Sequence, residues 1–163
     1  MNDMWRIVVV PLLVAGLAAC GGSDDAGGPT FTPAPRSAVT FEDQDGMTAS
    51  TLFVEVADAP DEQRRGLMGV VLLPADEGMA FVFDEPTETT FWMKDTLIPL
   101  SIAFVDADGV VVGIREMEPC EADPCPSYGV DRPFVLAVEA NRGWFADRGI
   151  GPGDRANLEA SDG

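Results

Sequence analysis

Six consecutive residues, Phe91-Trp92-Met93-Lys94-Asp95-Thr96, hold two large aromatics, a thioether, a cation, an anion and a hydroxyl. A strand running through them puts Phe91, Met93 and Asp95 on one side and Trp92, Lys94 and Thr96 on the other, because side chains alternate with a period of two. The second side can stack a sugar ring or other planar group on Trp92 while Lys94 and Thr96 hold a carboxylate or hydroxyls. An apolar wall with a few polar groups is the usual composition of a small-ligand pocket. Arg65, Met68 and Glu139 join these three as candidate ligand contacts. Lys94 is the only lysine in the chain. An amine whose pKa is lowered by burial can act as nucleophile or base, so Lys94 with Glu139 as proton-transfer partner forms a catalytic alternative. A third reading is structural: Trp92 caps a barrel and Lys94 pairs with a carboxylate such as Glu139 or Asp106.

Other chemistry lacks parts. The chain has no histidine to serve as a base. It has no Gly-x-Ser-x-Gly elbow, and Ser101 and Ser127 have no activating partner in the sequence. Met68, Met79, Met93 and Met117 are soft ligands that suit copper(I), but methionine more often fills gaps in a core. Asp106 and Asp108 lie in an Asp-x-Asp-Gly step without the glutamate that a calcium loop requires, so this segment reads as a turn. Cys120 and Cys125 flank Glu-Ala-Asp-Pro. Their spacing is not that of a Cys-x-x-Cys redox site, and two cysteines without histidine make a poor zinc site. A structural disulfide is expected, worth no more than about 2 to 3 kcal/mol for so short a loop. No cofactor or metal is expected.

Strand signals dominate the elements that must position these residues. Thr51 to Val56 is β-branched and apolar and stops at Asp58-Ala59-Pro60. Asp58 then reads as an N-cap, with Pro60, Asp61 and Glu62 in a first turn where the helix dipole favours negative charge. The helix carries Gln63 to Met68, with Arg65-Gly66 near its end, and fades by Leu73-Pro74. Further strands are expected over 78–83, with Met79, Phe81 and Phe83 on one face, and over 89–93. The segments 100–105 and 110–114 form a hairpin around Asp108-Gly109, where glycine supplies positive φ. One more strand covers 134–138, a short helix over 144–148 closes at Gly149, and 155–158 is the last strand. Short strands with frequent turns and no strand-helix alternation predict a mainly β domain. It is a small barrel or curled antiparallel or mixed sheet with two short helices plugging its ends.

The chain begins differently. Arg6 precedes an apolar run from Ile7 to Ala19, which is shorter than the roughly 20 residues of a membrane-spanning helix and is interrupted by Pro11. Residues 1–19 therefore read as a signal peptide. Leu17-Ala18-Ala19-Cys20 resembles the lipobox of bacterial lipoproteins, and the resemblance implies a diacylglycerol-linked Cys20 as the mature amino terminus. An ordinary secretory signal is the alternative. Two or three acyl chains make a stable anchor where one does not. Gly21 after the cysteine resembles outer-membrane sorting in a host with two membranes. Residues 20–40, rich in Gly, Ser, Asp, Pro and Ala, read as a tether, and 41–163 as a single domain. The formal net charge of −18 excludes nucleic acid and anionic headgroups as partners of the domain surface. The expected partners are membrane lipid through Cys20 and a small polar ligand or cell-envelope component, with the protein facing the periplasm or exterior.

Arg-Gly-Leu-Met at 65–68, Gly-Met-Ala-Phe-Val-Phe at 78–83, Phe-Trp-Met-Lys-Asp-Thr-Leu-Ile-Pro-Leu at 91–100 and Gly-Ile-Gly-Pro-Gly-Asp at 149–154 occur in this order. Together they resemble the domain of unknown function 192 family over about 51–158. That family usually has asparagine where Asp95 stands, and a leucine-glutamate pair with a shorter turn where Val138-Glu139 precede 140–143. The resemblance implies a compact β-rich domain, often exported, without an established activity.

Overall fold

Every residue of Leu100-Ser101-Ile102-Ala103-Phe104-Val105 is buried, so this strand is covered on both faces and not washed by solvent on one. Near-continuous apolar strands arise where both sides of a sheet are packed. The computed structural model describes residues 37–46, 48–121 and 123–159. Cys20, the apolar segment before it and the tether up to residue 36 lie outside the described residues. Among the described residues no helix is long and apolar enough to cross a membrane.

The main sheet contains β1 (Ser37–Glu42), β2 (Thr48–Ala57), β3 (Glu77–Thr87), β5 (Leu100–Val105), β6 (Val111–Met117), β8 (Phe134–Asn141) and β9 (Arg155–Glu159) in the order β6-β5-β8-β3-β2-β1-β9. It curls into a half-barrel. Its edge strands meet where Val110 bridges Arg155, and the Val111 N–H donates to the Asp154 carbonyl at 2.8 Å. A separate two-stranded sheet pairs β4 (Phe91–Trp92) with β7 (Ser127–Tyr128). The fold is thus mainly β, as expected, with a mixed sheet.

β2 and β3 run parallel, joined through α1 (Pro60–Arg65), while the other described pairs in the sheet are antiparallel. One strand-helix-strand unit is therefore present where no alternation was expected. Its helix is shorter than its composition implied. Ala59, not Asp58, is the N-cap residue, and the Glu62 carboxylate accepts the Ala59 N–H at 3.2 Å. The helix stops at Gly66 with φ 46°. A Cβ there would lie 3.3 Å from the Phe81 ring, so glycine serves both the backbone turn and the close approach.

Two apolar layers sandwich the sheet. The inner layer includes Val39, Phe41, Leu52, Val54, Val138 and Ile150. Trp144 and Phe145 fill it from one side, with ring centroids 5.7 and 5.5 Å from Phe41. These two precede only a 3-10 turn, Ala146–Arg148, closed by Gly149 in the left-handed region. No residue of α1 is buried, so α1 is not a plug; one side of the barrel is filled by the two rings, and the expected pair of plugging helices is absent among the described residues. The outer layer holds Met79, Phe81, Ile102, Phe104, Met117 and Phe134, roofed by Leu67, Leu73 and Met93. Asn141 fastens that roof by donating to the Leu73 and Pro74 carbonyls at 3.1 and 2.9 Å.

Strand β1 begins at Ser37, inside the stretch that composition assigned to the tether. The alternation of buried Ser37, Val39 and Phe41 with half-buried neighbours explains it. It is secured on both sides, by β2 and β9.

Candidate functional site

β4 covers only Phe91 and Trp92, and the period of two does not continue beyond it. The chain turns at Lys94-Asp95, where Asp95 takes a φ of 55°. The Gly69 N–H donates to the Asp95 carbonyl at 2.9 Å, and the Thr96 N–H to the Met93 carbonyl at 3.2 Å. The expected Trp-Lys-Thr face is therefore not formed: Trp92 is half exposed, Lys94 is exposed and Thr96 is buried. Trp92 lies in the small sheet on the outer side and does not cap the barrel.

β8 places Glu139 on the outer face, directly between Met79 of β3 and Ile102 of β5. Its side chain faces the same way as Phe81 and Phe104, toward the roof, because register partners share a face and side chains alternate along each strand. Glu139 is only 5% exposed. No described residue supplies its carboxyl with a hydrogen bond or counter-ion. Burial pushes its pKa from 4.5 up to about 8, because the ionised form loses its hydration. At neutral pH the group is mostly a protonated acid.

Glu139 opens onto a narrow cleft between the end of α1 and the β4 turn. Arg65, Met68, Trp92, Thr96 and Glu139 all line it, with Phe81 and Phe91 as further walls. Five of the six candidate contacts are thus neighbours. Its interior holds about 30 Å³. A wider bay of about 230 Å³ adjoins it, sharing Gln63, Arg64, Phe81, Phe91 and Trp92 and adding Phe83, Thr89 and Thr90. The Gln63 amide fastens the α1 side by donating to the Val82 carbonyl at 2.7 Å. At the rim, Arg65 pairs with Glu55 at 3.9 Å with its own side chain 68% exposed.

Lys94 lies elsewhere. It lines a depression with Asp95, Glu121, Asp123 and the cysteine pair, and its Nζ sits 5.6 Å from the Trp92 ring centroid. It makes no ion pair among the described residues, neither with Glu139 nor with Asp106. Asp106 is occupied by its own turn, accepting the Asp108 and Val110 N–H groups at 3.0 and 2.9 Å. Cys120 and Cys125 stand at disulfide distance, Cα to Cα 5.6 Å. Met79, Met93 and Met117 are buried in the outer layer, and Met68 is a cleft wall. Among the described residues no three metal-ligating His, Cys, Asp or Glu side chains cluster. Ser101 has a structural task, donating to Glu116 and accepting the Gly143 N–H at 2.8 Å.

The sequence reading missed Phe81, Phe91 and Gln63 as cleft residues. Phe91 stood inside the chemistry-bearing block and Phe81 on a predicted face, so both could have been proposed; Gln63 carried no signal.

Residues 41–158 match the model of the DUF192 family, described as "Uncharacterized ACR". The chain belongs to that family. Among solved structures, it is similar to a protein of unknown function from Novosphingobium aromaticivorans DSM 12444, with 31% identity and a TM-score of 0.69, over 82% of this chain and 94% of the other. A protein from Sinorhizobium meliloti 1021, proposed to be a transcription regulator, matches with 29% identity and a TM-score of 0.69, over 78% and 97%. A search of curated proteins finds no match. Within this DUF192 domain the position of Asp95 now has a backbone explanation. Asparagine and aspartate enter the left-handed region more readily than other non-glycine residues, so the exchange between them preserves the turn.

Proposed function

We propose that this DUF192 domain is a non-catalytic binding module, held at the envelope membrane by lipid on Cys20, whose cleft takes a small polar ligand or one end of an envelope component. The observation that carries the reading is the buried Glu139 carboxyl without a protein partner at the floor of an aromatic cleft. Holding an acid in an apolar surrounding without a protein partner costs stability, a cost that a ligand in the cleft would offset. The enzyme alternative, Lys94 with Glu139, is weakened because the two line separate depressions.

The description of the Sinorhizobium relative brings DNA binding into view. A net charge of −18 opposes approach to phosphates, whose neutralisation by Lys and Arg supplies most non-specific affinity. The anchor on Cys20 and a periplasmic or external location rest on the Leu-Ala-Ala-Cys sequence.

Thermal shift on the full-length protein in detergent, against cell-wall fragments, sugars, amines and carboxylic acids, tests the binding reading. A ligand at 100 times its Kd stabilises by about 2.7 kcal/mol. The shift is expected to shrink in Trp92→Ala and to survive in Lys94→Ala. A panel in which nothing shifts the protein sinks the proposal.

A further inference from the structure

Trp92, Phe81 and Phe91 surround a buried carboxyl that has no counter-ion, on a chain with a net charge of −18. We propose that the cleft is a receptor for a small organic cation, whose ammonium group enters beside Glu139 and whose remainder lies in the adjoining bay against Phe83. This deepens the binding reading above and rests on it.

Three observations select a cation. The inner cleft, at about 30 Å³, is narrow, which suits a small head group such as an ammonium better than a bulky ring. Its walls include Phe81, Phe91 and Trp92, and the face of an aromatic ring attracts ammonium groups in desolvated sites. Trp92 already does so within the chain, with the Lys94 Nζ 5.6 Å from its ring centroid. The long-range field of an acidic molecule then gathers cations and turns anions away.

The charged groups around Glu139 leave its carboxyl unpaired. Along the cross-strand row its neighbours are Met79 and Ile102, with Glu55 beyond the first and Arg115 beyond the second. From α1, Arg64 and Arg65 line the cleft with their side chains largely exposed, and Arg65 is turned to Glu55, so neither guanidinium is paired with Glu139. From the β4 turn, Lys94 and Asp95 line the other depression. No cation is therefore committed to Glu139, and a ligand can supply one.

Proton balance follows. The ammonium enters with its charge, Glu139 gives its proton to solvent, and the buried pair forms. Binding near neutral pH thus releases close to one proton per ligand, and affinity falls about tenfold per pH unit below the carboxyl's pKa.

Titration calorimetry on the full-length protein in detergent tests this with butylammonium and 2-hydroxyethylammonium, beside butyrate and butan-1-ol, the uncharged analogue of butylammonium. At pH 6, 7 and 8, in buffers of different ionisation enthalpy, the two cations are expected to bind with proton release and with affinity rising toward pH 8. Glu139→Gln is expected to lower cation affinity at pH 8 at least tenfold and to remove the pH dependence. Trp92→Ala, at an exposed position, weakens binding as a second, independent variant. If the alcohol or butyrate binds as tightly as the cations, without pH dependence, the cation assignment is overturned while the binding cleft stands. If no compound of any class binds, both readings fall.

Discussion

Glu139 sits between Met79 and Ile102 with no counter-ion, and burial holds its pKa near 8 instead of 4.5. Folded, the carboxyl keeps its proton to about pH 8; unfolded, it gives it up near pH 4.5. Between those values the folded state binds the extra proton, so this group lowers stability as pH rises, by up to about 1.4 kcal/mol per pH unit. Above pH 8 the loss is complete. Chemical denaturation of wild type and Glu139→Gln at pH 5, 6, 7 and 8 measures it: the difference in stability should grow in favour of the glutamine variant across this range. A constant difference would show that the carboxyl is solvated in the folded protein. The sequence could nominate Glu139 because an acid in an apolar strand is unusual. It could not show that Lys94 would fail to reach it.

Short elements decide the site. Phe91 to Thr96 has the composition of a strand, yet its ladder ends after Trp92 because Asp95 enters the left-handed region and Gly69 binds its carbonyl. Asp95→Asn should leave stability within about 0.5 kcal/mol of wild type. Asp95→Val should cost about 1 to 2 kcal/mol, since a β-branched side chain is strained there. Thermal and denaturant midpoints distinguish the two, and equal losses would mean that the aspartate charge, not its backbone, matters. The hairpin around Asp108-Gly109 was legible because its turn is encoded in adjacent residues. Helix α1 was legible in type, although its cap shifted to Ala59 and its end came early at Gly66. β7, with only Ser127 and Tyr128, carried no strand signal of its own. It exists because β4 offers a partner.

On the scale of the whole molecule, two apolar layers leave Glu139 under a roof built by residues far away in sequence, such as Leu67 and Met93. The lipid anchor belongs to this scale as well, since it fixes where such a body works. Cys20→Ser is expected to release the protein from membranes after signal cleavage, read by fractionation and by the mass of the mature amino terminus; membrane retention of a cleaved variant would remove the anchor. Sequence periodicity, turn residues and ordered motifs by themselves determined the β-rich class, the 100–105 hairpin strands and membership in the family. These rest on interactions between residues a few positions apart. Tertiary structure alone decided that five candidate contacts share a cleft, that Lys94 stands outside it and that Glu139 is buried. A residue's dielectric surroundings depend on distant segments closing over it, and no local pattern records which segments those will be.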